Sequence, residues 1–483
     1  MSNTFKLLLF TLFIAGLPKA GQSQKLIEAV QLQHSSAAEI NILIQLTGDT
    51  TRALYGVTSY AIRYSTTNAQ GMPDTASGFV AFPDAGEVAY PVLFYQHGTA
   101  SSRQDVPSRN SGEALLATIA SSLGYITIAA DYQGLGDSRG FHPYLHARSE
   151  ASYARDLFLS ILPFMEQESV KANHQVFITG YSQGGHAAMA LHRDLQEDPL
   201  PESYEVIAAA PMSGPYSVSG EMLRRVMSQE PYNYPGYAIY TLLGYNAVYH
   251  LYDSLPQVLK APYIPAAQAF AREEINMNNL HQQLLTILMQ ETGSTVAADL
   301  FQDSIISGLH EPDNPFLLAL EANDTYDWAP DVPTRLVYCM NDDQVIYTNA
   351  LLADSVMQSN GASDVAAIDV YPEGDHGACV LPAVKYTIDF FNQYRETSSR
   401  YETFWDQGTI YPNPAQRAVT LTGLPMGSVL TLHNGLGQEI LHQAIPGDRI
   451  QLQLPELSNG VYWITIAGHQ GQATKKLLIM QNP

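Results

Sequence analysis

Gln175-Val176-Phe177-Ile178-Thr179-Gly180-Tyr181-Ser182-Gln183-Gly184-Gly185-His186 decides how this chain is read. The run 175–179 is β-branched and aromatic, which predicts a buried strand. Ala187-Ala188-Met189-Ala190-Leu191 follows and predicts a helix. A Gly-x-Ser-x-Gly turn between strand and helix holds its serine on a sharp, strained elbow. The flanking glycines are needed there because a side chain would collide with the tight turn. The elbow lifts the Ser182 hydroxyl above the sheet edge, within reach of a histidine. It also leaves the N–H of the next residue, Gln183, free to stabilise an oxyanion. A plain Gly/Ser turn would use the same residues, but the strand before and the helix after favour a nucleophile.

A serine nucleophile needs a base and an acid, and on such a scaffold they follow it in the order acid, then histidine. Residues 334–339 predict a strand that ends in Met340-Asn341-Asp342-Asp343-Gln344-Val345. An acid at the carboxyl end of a strand sits on the same sheet edge as the serine. Asp342 is the expected acid, because Val345 can anchor the loop while the carboxylate turns inward; Asp343 is the alternative. A last short strand, 366–371, leads to Pro372-Glu373-Gly374-Asp375-His376-Gly377. Glycines on both sides of His376 predict a mobile, close-approach loop carrying the base. His97 and His186 abut backbone motifs, and His142, His146 and His174 all precede the serine, so their claims are weaker.

Two backbone N–H groups should hold the oxyanion. Gln183 supplies one; the other is expected after the strand 91–95, where the chain reads Gln96-His97-Gly98-Thr99. Thr99 is the first choice and Gly98 its neighbour. Further strands are predicted at 125–130 and 204–210, with helices at 111–123, 149–166 and 350–359. Strands alternating with helices imply a mainly parallel sheet covered on both faces. The runs 59–65 and 77–83 predict an antiparallel hairpin that opens it.

His97-Gly98-Thr99, Asp131-Tyr132-Gln133-Gly134-Leu135-Gly136, His142-Pro143-Tyr144-Leu145, the Ser182 elbow and the Asp342 and His376 loops together resemble the α/β-hydrolase superfamily, and within it the secretory lipase and esterase group. The resemblance spans roughly residues 55–394. It implies a helical cap over the active site in the segment of about 215–328, which is too long to be a simple connection. That segment is rich in tyrosine: Tyr232, Tyr234, Tyr237, Tyr240, Tyr245, Tyr249 and Tyr252. An apolar, aromatic cap suits an acyl chain or an aromatic ester. The same tyrosines would also serve simply to pack the cap.

Residues 1–23 carry Lys6 followed by an apolar run too short to span a membrane but suited to a signal peptide, with cleavage expected just before Gln24. No later stretch is apolar enough to span, so the mature chain is expected to lack a transmembrane segment. Beyond Ser398 the pattern changes to short alternating strands, at 418–421, 428–433, 439–443, 449–454 and 461–467. Gly427, Asn434-Gly435, Pro446-Gly447, Asn459-Gly460 and Gly468 punctuate them, which predicts a small β-sandwich. Tyr411-Pro412-Asn413-Pro414-Ala415, Gly437-Gln438, Asn459-Gly460-Val461-Tyr462 and Lys475-Lys476-Leu477-Leu478-Ile479 resemble the C-terminal sorting domain of Bacteroidetes type IX secretion substrates. That resemblance implies a secretion-machinery partner and a secreted or cell-surface location. A carbohydrate-binding module is the alternative.

The expected organisation is thus a signal peptide over 1–23, a catalytic domain over 24–400 and a sorting domain over 407–483. With 24 Lys plus Arg against 47 Asp plus Glu, the net charge is −23, which disfavours nucleic acid and anionic membranes as partners. No Cys/His set has metal spacing and no cofactor is expected. The two cysteines, Cys339 and Cys379, flank the acid and base loops; they could be joined or remain separate buried thiols. The expected activity is carboxylic-ester hydrolysis through Ser182, His376 and Asp342 with an acyl-enzyme intermediate. A serine peptidase of the same fold and a catalytically inactive surface-displayed binding protein are the alternatives.

Overall fold

The computed structural model of the protein describes residues 24–46, 51–84, 88–201, 204–396, 408–424, 427–434, 438–468 and 471–481. The expected signal peptide at 1–23 lies outside them. The chain divides into two compact units, a large one drawn from residues 24–391 and a small one that takes in 408–481.

The large unit is built on a nine-stranded sheet. Its strands are β1 (Leu26–Ser35), β2 (Val57–Thr67), β3 (Pro73–Pro83), β4 (Ala89–Gln96), β5 (Ile126–Ala130), β6 (Lys171–Tyr181), β7 (Glu205–Met212), β8 (Thr334–Tyr338) and β9 (Val365–Asp369). They lie in the order β1-β2-β3-β5-β4-β6-β7-β8-β9. The first three pair antiparallel, and β3 also meets β5 antiparallel. The pairs β4/β5, β7/β8 and β8/β9 are parallel. Strand β8 shows why both faces are covered. Leu336 and Tyr338 pack against Ala350, Ala353 and Met357 of the helix Thr348–Ser359. Val337 and Cys339 turn the other way, onto Cys379 and Ala383 of the helix His376–Phe391. The period of two in a strand sends alternate side chains to opposite helical layers.

Strand β1 and the helix Ala37–Leu46 are not among the elements expected from the sequence. In β1 the pairing with β2 shifts register twice, and Ile27, Val30 and Leu32 stay exposed at the sheet edge. Alternation that is broken by bulges and not tied to burial leaves no readable pattern.

At the serine elbow the backbones of three strands crowd together. A Cβ on Gly184 would lie 2.0 Å from the Gln96 carbonyl oxygen. One on Gly180 would lie 2.3 Å from the Gly184 oxygen, and one on Gly185 2.4 Å from the Met212 oxygen. The end of β4, the end of β7 and the first turn of the helix Gln183–Glu197 can approach only because these residues lack side chains. Cys339, just past β8, and Cys379, in the first turn of His376–Phe391, are joined by a disulfide 40 residues apart in sequence.

Between β7 and β8 the segment 215–328 forms helices with a core of their own, chiefly Gly236–Tyr249, Ile264–Ala271 and Met277–Thr292. Leu280, Leu284 and Leu288 recur every fourth residue, so one face of the last helix is buried against Ile239 and Phe270. The Asn276 side chain accepts from the Asn279 N–H to start that helix, and Gly293 at φ 72° ends it. Tyr232, Tyr240 and Tyr245 are buried in this segment, whereas Tyr234, Tyr237, Tyr249 and Tyr252 are half-buried.

The small unit stacks a three-stranded sheet (Thr409–Tyr411, Ala418–Thr422, Arg449–Gln453) and a four-stranded one (Glu439–Ala444, Val429–His433, Gly460–Gly468, Gly471–Ile479). Neighbouring strands within each sheet run antiparallel. Alternate residues, such as Leu430 and Leu432, Val419 and Leu421, and Ile464 and Ile466, fill a common core.

Two outcomes follow from the crowding and the crosslink. Gly184→Ala should lower the unfolding free energy in urea by about 3 kcal/mol, the upper end of what overpacking typically costs, because a backbone carbonyl cannot move aside for the new methyl. Replacing both cysteines by serine should cost roughly 4 kcal/mol for a closed loop of this length. An unchanged denaturation midpoint in either variant would contradict the packing described.

Candidate active site

Ser182 lies between the end of β6 and the helix Gln183–Glu197, at φ 61° and ψ −122°. This region is unfavourable for a residue with a side chain and costs on the order of 1–3 kcal/mol. The strain is held by the crowded glycines and by the Ser182 N–H, which donates to the Met212 carbonyl at 3.0 Å.

The acid loop leaves β8 on the same edge. Asp342 is buried; its Oδ1 accepts from the N–H groups of Gln344 and Val345, each at 2.9 Å. Its Oδ2 lies 2.7 Å from His376 Nδ1. Asp343 is exposed and faces elsewhere: Oδ1 accepts from the His376 backbone N–H at 3.2 Å, and Oδ2 from the Tyr234 hydroxyl at 2.9 Å. Of the two candidates, Asp342 therefore meets the imidazole ring. His376 is the first residue of a helix rather than part of an open loop, and the Asp375 side chain caps that helix by accepting from the Ala378 N–H at 2.8 Å. A Cβ on Gly374 would lie 2.5 Å from the exposed Tyr371 ring, so any side chain there would push that ring aside. The ring of Tyr181, the residue before the serine, packs 4.9 Å from the His376 ring, and its hydroxyl donates to the His376 carbonyl at 2.6 Å. Serine elbow and histidine are thus held side by side.

His97-Gly98-Thr99 follows β4 on this edge. The Gly98 N–H donates to Glu113 Oε1 at 3.3 Å, and Thr99 Oγ1 shares a 3.0 Å hydrogen bond with the Tyr144 hydroxyl. Among the described residues the backbone N–H groups of Thr99 and Gln183 have no backbone acceptor. Gln183 itself is wholly buried, and its side chain enters a polar cluster that sequence reading missed. Its Nε2 donates to Glu150 Oε1 at 2.9 Å and lies 2.8 Å from His142 Nε2. The other Glu150 oxygen is 2.6 Å from His186 Nδ1. Burial pushes the Glu150 carboxyl up, but the facing His186 imidazole and the hydrogen bonds from His186 and Gln183 outweigh it and hold it below the usual range. Burial depresses His142 to about 4, so this ring is neutral and can accept from Gln183 while donating from Nδ1 to the Gln133 carbonyl at 2.7 Å. One signal was available: Glu150 stands in line with Ala147, Ala151 and Ala154 on the buried face of the helix Ala147–Gln167.

Ser182 opens into a cavity of about 960 Å³, counting its outward-facing space. Its walls come from Tyr144 and Leu145, from the cap (Val218, Met222, Val226, Tyr232, Tyr237, Leu242, Phe301, Phe316) and from Gln344 and Val345 of the acid loop. They are almost entirely apolar. The described residues contain no group of side chains able to hold a metal ion, and no helix long and apolar enough to cross a membrane.

Among solved structures the chain is similar to the rice cell wall degrading esterase LipA from Xanthomonas oryzae, with 26% identity and a TM-score of 0.69, over 77% of this chain and 99% of that one. A protein of Legionella pneumophila is similar at 26% identity and a TM-score of 0.70, with the same coverage. Candida antarctica lipase A in its closed state has 15% identity and a TM-score of 0.55 over 77% of this chain and 83% of its own, a likeness of fold alone. No curated protein matches the chain. Residues 409–480 match the family described as Secretion system C-terminal sorting domain. The chain therefore joins an α/β-hydrolase fold, the scaffold of these esterases and lipases, to a C-terminal secretion sorting domain.

Proposed function

We propose that the protein is an exported carboxylic-ester hydrolase in which Ser182 is the nucleophile, His376 the general base and Asp342 the residue that orients it. The observation that carries this reading is the buried 2.7 Å contact between His376 and Asp342, held against the residue preceding a strained serine. His376 takes the Ser182 proton as the hydroxyl attacks the ester carbonyl. The N–H groups of Gln183 and Thr99 receive the oxyanion; each such donor contributes about 2.7–4 kcal/mol to transition-state stabilisation. His376 then protonates the leaving alcohol. Afterwards it activates water to release the acid from the acyl-enzyme. Asp342 fixes the ring with Nδ1 toward the carboxylate, leaving Nε2 for the serine. The chemistry requires no metal or cofactor.

The apolar walls beside Ser182 support an acyl chain or another hydrophobic moiety as the part of the ester held in the cavity. The similar Xanthomonas protein is an esterase, which supports an ester over an amide as the bond cleaved. Export would use the signal peptide at 1–23 and the sorting domain, recognised by the secretion machinery.

Ser182→Ala should lower p-nitrophenyl ester hydrolysis by about 10⁵-fold or more with folding intact, and His376→Ala should be comparable. Asp342→Asn should cost about 10⁴-fold, far more than Asp343→Asn. A fluorophosphonate should label Ser182. Full activity in Ser182→Ala would sink the mechanism. Peptide p-nitroanilides cleaved faster than esters would move the assignment to a peptidase.

Across a panel of p-nitrophenyl esters, kcat/KM should rise with acyl length by up to about fourfold per methylene until the cavity is filled. A flat profile would mean that the cavity does not hold the acyl chain. A chain stopped at residue 406 should hydrolyse esters normally yet stay in the periplasm of a host with the cognate secretion system. Normal export with lost binding to an insoluble polymer would make the tail a binding module.

A further inference from the structure

Two phenols of the cap end on one residue of the acid loop. The Tyr232 hydroxyl donates to the Gln344 main-chain carbonyl at 3.0 Å, and the Tyr237 hydroxyl donates to Gln344 Oε1 at 2.8 Å. The Gln344 N–H in turn donates to Asp342 Oδ1 at 2.9 Å. Each polar group of Gln344 on this side therefore either receives from the cap or gives to the carboxylate that faces His376. Tyr232, Tyr237 and Gln344 also share the wall of the apolar cavity with Ser182. In such a wall phenylalanine would fill the same space without the cost of burying a hydroxyl.

Neither phenol is free to swing. Tyr237 meets the His281 ring edge-on at 4.7 Å, and stacks on Tyr144 at 6.1 Å and on Tyr234 at 6.0 Å. His281 is itself fixed by the Gly236 N–H, which donates to its Nδ1 at 3.0 Å. The Tyr232 ring is buried, with the Arg225 guanidinium 4.9 Å from its centre. The stack leads on to the other side of the site, since the Tyr144 hydroxyl pairs with Thr99. A rigid aromatic column thus runs from the acid loop toward the residue proposed to hold the oxyanion.

We propose that Tyr232 and Tyr237 are positioning residues that hold Asp342 through Gln344, so that seating of the cap and alignment of the acid are a single event. This rests on the triad reading above. Asp342 must keep one oxygen on the loop amides for the other to reach His376 Nδ1. The loop supplies those amides from Gln344 and Val345, and the cap anchors the first of them. Losing a phenol hydroxyl loosens the Gln344 amide without removing apolar surface from the cavity.

The test uses the full-length protein and p-nitrophenyl acetate, whose acyl group is too short to depend on the cavity. Tyr232→Phe and Tyr237→Phe should each lower kcat by about three- to tenfold, the worth of one hydrogen bond, with KM unchanged. Gln344→Ala should reproduce the Tyr237→Phe loss and add nothing to it, because that substitution removes the same bond. Tyr232→Phe should still cost activity in the Gln344→Ala chain, because its acceptor is the main chain. In an Asp342→Asn chain, measured with enough enzyme for single turnovers, both tyrosine substitutions should lose their effect to within about twofold. Tyrosine variants with normal kcat but a lowered melting point would overturn the proposal and leave these hydroxyls structural. Losses that multiply with Asp342→Asn would overturn it as well, since the effect would then bypass the acid. Full activity in Asp342→Asn alone would defeat the triad and the clamp together. An inactive Asp342→Asn beside unaffected tyrosine variants would defeat the clamp only.

Discussion

A backbone carbonyl, that of Gln96, occupies the space where Gly184 would carry a side chain. Everything at the sheet edge depends on this contact. It lets the first turn of the helix Gln183–Glu197 press against the end of β4, and so brings Gln183 near the His97-Gly98-Thr99 turn that follows. It also compels Ser182 into a backbone conformation that a free chain would avoid. The strain is sustained because bonds on either side over-determine it, and the hydroxyl is presented outward as a result. Geometry that would otherwise need many side chains is thus set by the absence of two or three.

Beneath this edge lies a second commitment, the fully buried Glu150. A charge with no access to water is tolerable only when its oxygens are bonded, and here His186 and Gln183 provide those bonds. The neutral ring of His142 completes the arrangement on the Gln183 amide. The residue whose N–H is proposed to meet the oxyanion is thus fastened at both ends, by helix geometry at its backbone and by an ionic cluster at its side chain. The acid and base are fastened differently, by short loops, a disulfide and the Tyr181 ring.

Local signals made the sheet edge that carries the proposed triad legible in the sequence. The elbow combines a β-branched run, a glycine-flanked serine and a helix within one short segment, and Asp342 and His376 each come a few residues after a strand. The antiparallel opening hairpin could be read from its apolar and aromatic runs, although β3 is buried on both faces. The sandwich strands Ala418–Thr422, Val429–His433 and Arg449–Gln453 could be read because their alternation matches their burial. Asp342 and Asp343 could not be separated decisively by spacing, because only the folded loop shows which carboxylate turns to the ring. Glu150 was missed since its partners lie 33 and 36 residues away on another element. The meeting of Tyr232 and Tyr237 with Gln344, more than 100 residues apart, leaves no local mark at all. Strand β1 was hidden by its exposed apolar residues and its bulges.

The order of the elements has a consequence for how such a protein can diversify. Ser182, β7 and the elbow helix precede the cap in the chain, while Asp342, His376 and the disulfide follow it, so the cap is an insertion between two finished halves of the sheet edge that carries the proposed triad. Its hydrophobic core is largely its own, and Leu280, Leu284 and Leu288 pack within it. Under the proposed function, evolution can therefore rewrite the walls that would choose a substrate while the proposed bond-breaking atoms stay untouched. Under the proposed clamp this freedom has one limit: any replacement must still offer the acid loop a pair of rigid donors where Tyr232 and Tyr237 now stand.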